Sequence, residues 1–263
     1  MNSPAQMSIR LLSTPLRFSG AHIFSALVVC AVLYSFGSPS ANAQNRVSKR
    51  FPVGKNVRVE LKNISGTITV ESWNRDEIKI TAALETPNAN VYPKLMGECV
   101  SIDVMGDNRG RGDVGDVNFK IQVPQDSSVD IETRRGDITI SNIRGGLVRA
   151  HISTEGDIKL IDISATQVLA QNTIGDIHFD GGFSRGGTYQ FQSTKGNISV
   201  RIPSDSAFRL VAAAPTKKIA LGEFWNNGFK TLGDGRKFVG DVGDGRSSVM
   251  VTTFQGSITF IRR

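Results

Sequence analysis

Apolar and polar residues alternate with a period of two in short blocks along this chain, and glycines punctuate the blocks. Ile138 and Ile140 flank Thr139, Ile158 and Leu160 flank Lys159, and Ile177 and Phe179 flank His178. Ile198 and Val200 flank Ser199, and Ile258 and Phe260 flank Thr259. This is the pattern of a strand with one buried and one wet face. A second alternating block precedes most of the glycines. Val129 and Ile131 stand before Gly136, Val168 and Ala170 before Gly175, Tyr189 and Phe191 before Gly196, and Val249 and Val251 before Gly256. Before Gly156 the set slips by one position, to Val148, Ala150 and Ile152, which predicts a corner of different build.

The glycines themselves recur. Gly136-Asp137-Ile138, Gly156-Asp157-Ile158, Gly175-Asp176-Ile177 and Gly196-Asn197-Ile198 follow one another at nearly equal steps of about 20 residues. Gly256-Ser257-Ile258 lies three more steps of the same length beyond the last, and Gly66-Thr67-Ile68 is an outlying copy. Such a period with β-branched strands predicts an all-β fold, a β-solenoid or parallel β-helix-like stack in which each unit buries its apolar face on its neighbours. Glycine suits a tight corner and Asp or Asn can bond nearby amides there. A sandwich of hairpins is the competing fold, but its Asn-Gly or Asp-Gly turn signals are sparse until the Asp234-Gly235 and Asp244-Gly245 region.

A longer echo points to internal duplication. Val123-Pro124-Gln125-Asp126-Ser127-Ser128-Val129 returns further along as Ile202-Pro203-Ser204-Asp205-Ser206-Ala207-Phe208. Proline donates no ladder hydrogen bond, so both copies should mark a strand end. Residues 44–122 read as an irregular β-rich start and 123–210 as the cleanest array. Residues 211–245 depart from the pattern, and 246–263 return to it.

Residues 1–43 read as a secretory signal: Arg10 and Arg17, the apolar run from Ala21 to Phe36, then the small-x-small site Ala41-Asn42-Ala43. The apolar run is shorter than the roughly 20 residues a spanning helix needs, so no stable span is expected after cleavage. The rest of the chain, 44–263, makes one β-repeat domain, exported to the periplasm, the cell surface or the medium. The leader carries two of the 31 basic residues and none of the 24 acidic ones, which leaves a formal net charge of +5. Those charges are dispersed, so no nucleic-acid partner is expected. Cys99 is the one cysteine beyond the leader, and an exported chain that can form no internal disulfide must be held by packing and backbone pairing.

The strings IETRRGDITISNIRG, HISTEGDIKLIDISA and VTTFQGSITF resemble the bacterial putative-adhesin family, a domain of unknown function with β-strand repeats. The lead-in at 123–131 and the terminal strand at 256–260 resemble it too, so the likeness spans roughly positions 57–263. It implies an exported or envelope-associated β-solenoid, and it brings no catalytic residues.

The chemistry on offer is sparse. The corner carboxylates Asp137, Asp157 and Asp176 invite a calcium or a glycoside-hydrolase reading, but one carboxylate per repeat, giving way to Asn197 and Ser257, fits corner capping better. The segment from Gly233 to Gly245 is the better calcium candidate, and a glycine-rich loop explains it equally. His151 and His178 have no partner at a recognised catalytic or metal-site spacing. Arg111-Gly112-Asp113 and Arg135-Gly136-Asp137 spell an adhesion tripeptide, although the second is the repeat corner itself. Phe224, Trp225 and Phe229 cluster near Lys217, Lys218 and Lys230 as a contact surface or, more simply, as an end cap. The expectation is a non-enzymatic exported protein without cofactor, an adhesin or envelope scaffold whose partner is an envelope or extracellular protein or glycan. Contact would spread over outward residues such as Thr139, Lys159, His178 and Ser199. The alternative is an enzyme acting on polysaccharide.

Overall fold

The computed structural model describes residues 45–226 and 228–263, so the predicted signal lies outside the described residues. The chain forms two sheets, A of ten strands and B of eleven. It begins with β1 (Asn45–Pro52), β2 (Arg58–Asn63), β3 (Ile68–Trp73), β4 (Glu77–Leu84), β5 (Lys94–Met96) and β6 (Cys99–Asp103). A single helical turn, α1 (Val104–Asp107), leads to β7 (Val117–Pro124). The array follows: β8 (Ser128–Arg135), β9 (Ile138–Ser141), β10 (Leu147–Glu155), β11 (Ile158–Ile163), β12 (Gln167–Ile174), β13 (Ile177–Gly181), β14 (Thr188–Lys195) and β15 (Ile198–Ile202). The C-terminal part holds β16 (Phe208–Ala213), β17 (Ile219–Ala220), β18 (Lys230–Leu232), β19 (Lys237–Val242), β20 (Ser247–Gln255) and β21 (Ile258–Arg262).

Each repeat is one rung. A strand in sheet B meets a short corner beginning with glycine, and the chain continues as a strand in sheet A. The rungs β8/β9, β10/β11, β12/β13 and β14/β15 stack in parallel and in register. Ile68, Ile138, Ile158, Ile177, Ile198 and Ile258 therefore form one column in sheet A, each no more than 1% exposed. Leu160 and Phe179 stand in the next inward column of the same sheet, while sheet B supplies the small Ala150 and Ala170. Bulk on one sheet beside small residues on the other is how facing layers fill to interior density. This two-sheet stack is the repeat solenoid that the period predicts.

The glycines align as a column as well. A Cβ built on Gly136 would collide with the carbonyl oxygen of Gly66, one on Gly156 with that of Gly136, and one on Gly175 with that of Gly156. The series runs on through Gly196 to Gly256. Gly256 therefore packs directly on Gly196, and the expectation of three intervening steps is corrected. Residues 203–245 leave the stack, build its end and return. The rung β20/β21 inserts between β14/β15 and β16/β17, so the last rung in sequence is not the last in space. The same happens at the other end, where β2/β3 lies between β8/β9 and the later β6/β7.

Sheet A ends antiparallel at β1 and parallel at β17, and sheet B ends antiparallel at both β18 and β5. Beyond β7, β4 and then β1 close sheet A, and beyond β16, β19 and β18 close sheet B. Edge strand β1 carries Arg46, Lys49 and Arg50 and ends in Pro52, and β18 spans only Lys230–Leu232. Both features disfavour strand addition by another chain. The two echo copies are matching turns at strand ends, closed by Ser127 N–H to Pro124 O at 3.1 Å and Ser206 N–H to Pro203 O at 3.2 Å. The slipped set before Gly156 is a β-bulge: register shifts between Ile152 and Glu155 against both neighbouring strands. Asp234-Gly235 lies in the β18–β19 hairpin turn, with φ of 53° and 83°.

The glycine column gives a direct expectation. Gly175, with φ of 134°, has no room for a methyl group, whereas a Cβ on Gly146 meets nothing closer than Ser128 Oγ at 3.8 Å. Gly175→Ala should cost about 3 kcal/mol or more in urea unfolding, and Gly146→Ala less than about 1 kcal/mol.

Candidate functional site

The corner residues are committed to structure. Asp137 Oδ1 accepts the Asp157 amide at 2.9 Å, Asp157 Oδ1 the Asp176 amide at 2.8 Å, and Asp176 Oδ1 the Asn197 amide at 2.7 Å. Asn197 Oδ1 then accepts both the amide and the hydroxyl of Ser257. Each side chain thus caps the next rung, which requires an acceptor oxygen and not a charge. The drift from Asp to Asn in this column follows. A buried polar column runs beside it: Asn172 Nδ2 donates to Gly156 O at 3.1 Å, Ser193 Oγ to Gly175 O at 3.1 Å, and Thr253 Oγ1 to Gly196 O at 2.7 Å.

The other candidates are dispersed. In the 233–245 segment, Asp241 accepts from Arg209 at 2.8 and 3.2 Å, and Asp244 pairs with Arg246. His151 stands on the outer face of sheet B and His178 on that of sheet A. In the adhesion tripeptides, Asp113 Oδ1 accepts the Gly115 amide, Arg111 donates to Asn88 O, and Arg135 pairs with Glu155 at 3.0 Å. Cys99 is half-buried on β6, and burial, followed by the Glu60 charge, pushes its thiol pKa up, so it stays protonated at neutral pH.

The aromatic trio does not form an open groove. Phe224 is 5% exposed and packs edge-on to Phe208 and Phe260, with centroids at 5.9 and 6.4 Å. Phe229 is 8% exposed, stacked under Trp225 at 5.9 Å. These two belong to the end cap, and only Trp225, half exposed, remains of that contact surface.

Register places Thr139, Lys159, His178 and Ser199 in one outward column of sheet A. Nearby outward positions on that sheet are charged and occupied with one another: Lys120 pairs with Glu71 at 2.9 Å, and Arg201 and Arg263 both reach Asp180. The N-terminal half of sheet B is similar. Asp130, only 11% exposed at its side chain, bridges Arg58 at 3.0 Å and Arg149 at 2.6 Å.

The outer face of β12, β14, β20 and most of β16 differs. Along β12 the outward positions are Gln167, Leu169, Gln171 and Thr173, and along β14 they are Thr188, Gln190, Gln192 and Thr194. β20 adds Ser248, Met250, Thr252 and Phe254, and β16 adds Val211 and Ala213. None of these is charged. The ionic neighbours lie at its borders, the Asp130 cluster on one side, the Arg209–Asp241 pair on the other and Lys195 at the corner end of β14. Met250 is 47% and Phe254 57% exposed. The side-chain hydrogen bonds of these strands come from the corner and inward positions Asn172, Thr173, Tyr189, Ser193, Ser247 and Thr253, and from Arg209 at the border. The amides of Gln167, Gln171, Gln190 and Gln192 bond no other described residue. Sequence reading missed this face because its signal is an absence of charge at alternate positions, visible only once the strands are set side by side.

The family model described as Toastrack DUF4097 matches residues 39–216. This chain belongs to the Toastrack DUF4097 family. The expected resemblance to a β-repeat family of unknown function is thereby met. No curated protein matches the chain. Among solved structures, a putative cell adhesion protein from Clostridium sporogenes aligns at 12% identity and TM-score 0.45, over 83% of this chain and 100% of its own. A putative adhesin from Bacteroides fragilis aligns at 10% identity and TM-score 0.41, over 83% and 98%. A putative lipid binding protein from Parabacteroides distasonis aligns at 9% identity and TM-score 0.30, over 84% and 97%. Within this Toastrack chain, β20 and β21 follow the matched stretch in sequence yet sit inside the stack, and β20 carries Met250 and Phe254 on the uncharged face.

Two outcomes test the site's surroundings. Asp157→Ala removes the acceptor for the Asp176 amide and should cost about 1 kcal/mol in chemical unfolding, while Asp157→Asn should be nearly neutral. The hydrogen bond from Arg209 holds the Asp241 carboxyl below the ordinary aspartate range. A depressed value means that any stabilisation is present above the unfolded pKa of about 3.9 and is lost as pH falls through the lowered one. A carboxyl-detected NMR titration should show Asp241 protonating below its ordinary value, and returning to it in Arg209→Ala.

Proposed function

We propose that this Toastrack domain is an exported, non-catalytic contact protein that holds an envelope or extracellular protein or glycan on the uncharged face of sheet B. The supporting observation is the face itself. Exposed protein surface normally carries charges, with roughly a quarter of all residues Asp, Glu, Lys or Arg. Here four neighbouring strands present amides, hydroxyls and apolar groups, and charges stand only at the borders, with Arg149 and Arg209 paired to aspartates and Lys195 at the corner end of β14. A surface of this kind loses less on desolvation than a charged one and can pack against a partner that satisfies its amides and hydroxyls. The parallel backbone ladder beneath it keeps the outward side chains in fixed rows, so binding need not order the backbone.

Export rests on the order of Arg10, Arg17, the apolar run and Ala43. No helix among the described residues is long and apolar enough to cross a membrane. The non-catalytic reading rests on how the carboxylates are used. The corner aspartates cap amides of the next rung. A concavity of about 600 Å³ brings Asp103, Asp113 and Glu132 together, but Asp103 caps α1 and Asp113 caps a turn.

Retention of the purified domain on isolated bacterial envelope fragments tests the proposal. The paired substitution Leu169→Asp and Met250→Asp should abolish retention with the unfolding midpoint unchanged, and Lys159→Glu on sheet A should not. Equal loss from the sheet A variant would move the contact to the other face. Glycan hydrolysis abolished by Glu132→Gln would overturn the non-catalytic reading.

A further inference from the structure

Register arranges the uncharged face as parallel rows. Leu169 lies beside Gln190, Gln190 beside Met250, and Met250 beside Val211, so a largely apolar line runs along the stacking axis. On one side of it stand Gln167, Thr188 and Ser248, and on the other Gln171, Gln192 and Thr252. Successive strands in a sheet are ~4.8 Å apart, so each row repeats at that interval. The face is a track: an apolar centre between two rails of uncharged hydrogen-bonding side chains, repeated once per rung.

We infer that this track binds an extended, uncharged polysaccharide laid along the stacking axis; the inference rests on the proposed contact role of this face. A pyranose ring has apolar C–H faces and a rim of hydroxyls, and its length along an extended chain is close to one rung. A ring placed over Leu169, Met250 or Val211 meets apolar surface below, one over Gln190 meets an uncharged amide, and the ring hydroxyls reach the two rails. Each hydroxyl both donates and accepts, and so does a Gln amide or a Thr or Ser hydroxyl. The Gln amides of both rails have no described partner, so no internal bond must break for the ligand to take its place. Phe254, 57% exposed at the outer margin, offers an aromatic face to a ring displaced to that side. The absence of charge selects against acidic glycans, which need cations to replace their hydration. The charged borders set the length of the track: it begins after Arg149 and ends at Arg209, which pairs with Asp241.

One ring per rung gives weak individual contacts that add along the chain, so affinity should climb with ligand length until the track is full. The test is isothermal titration and affinity electrophoresis of the whole exported domain. The probes are neutral glucan, mannan and galactan, oligosaccharides of increasing length from whichever is retained, and acidic alginate and polygalacturonate as contrasts. At least one neutral polymer should bind and the acidic ones should not, with affinity rising over the first few rings and then levelling. Gln190→Lys with Met250→Lys should abolish binding, and Gln171→Ala with Gln192→Ala, which keeps the face uncharged, should weaken it roughly tenfold. Binding of acidic polymers, affinity independent of length, or indifference to the paired alanines would overturn the inference. If no polysaccharide binds while envelope retention still fails in Leu169→Asp with Met250→Asp, the contact reading stands and the polysaccharide does not. Sedimentation equilibrium showing a dimer abolished by Gln190→Lys would assign the face to a second copy instead.

Discussion

The stacking of rungs at backbone distance is the condition from which the rest of this molecule follows, and it depends on a column of residues without side chains. Where the chain passes from sheet B to sheet A, each corner lies on the one below it so closely that any Cβ would strike a carbonyl oxygen. Glycine removes that collision from Gly66 through Gly256 and supplies the positive φ needed at Gly66, Gly136, Gly156 and Gly175. With the corners in contact, Asp137, Asp157, Asp176 and Asn197 each meet the amide of the next rung, and the isoleucines that follow the corners fall into register. Backbone pairing, corner capping and core packing therefore share one geometry. A single substitution in the column disturbs all three.

Repeated features were legible because they repeat. Comparing copies separates what each corner must keep, glycine and the following isoleucine, from what drifts, and the structure gives the physical reason for the drift: an acceptor oxygen suffices. The bulge before Gly156 was legible too, since an inserted residue shifts the phase of alternation at Val148, Ala150 and Ile152. The ends were not. β1 pairs with β4, β4 with β7 and β19 with β16, all antiparallel and with no local pattern to connect them, and the placement of β20/β21 between earlier rungs leaves no mark on local spacing. The stretch from Gly196 to Gly256 has the length of three repeats whether the chain climbs or departs and returns. The aromatic segment was legible as apolar, but its direction was not: Phe224 faces the core only because β16 and β21 bring Phe208 and Phe260 beneath it.

The candidate face was hidden for a related reason. Its residues are the outward half of each strand in sheet B, interleaved with the inward half that carries the conspicuous pattern. Gln167, Leu169 and Gln171 mean little alone, and neither do Thr188, Gln190 and Gln192. Only register makes them rows. A search of sequence for clustered functional types passes over them, because the cluster lies across strands a full repeat apart and consists of ordinary residues.

The return of β20 into the stack gives this face its continuity. Without it, β16 would be the next strand beside β14, and Arg209 would stand nearer the glutamines of β14. With β20 between them, Ser248, Met250 and Thr252 extend the rows by one more uncharged rung, and Arg209 is held at the border by Asp241. The same strand buries Val249 and Val251 on its inner side, and Thr253 bonds Gly196 O from within. Its inner half thus completes the core while its outer half lengthens the track. Extension of the uncharged face and closure of the fold are consequences of one strand insertion, which ties the integrity of the face to β20.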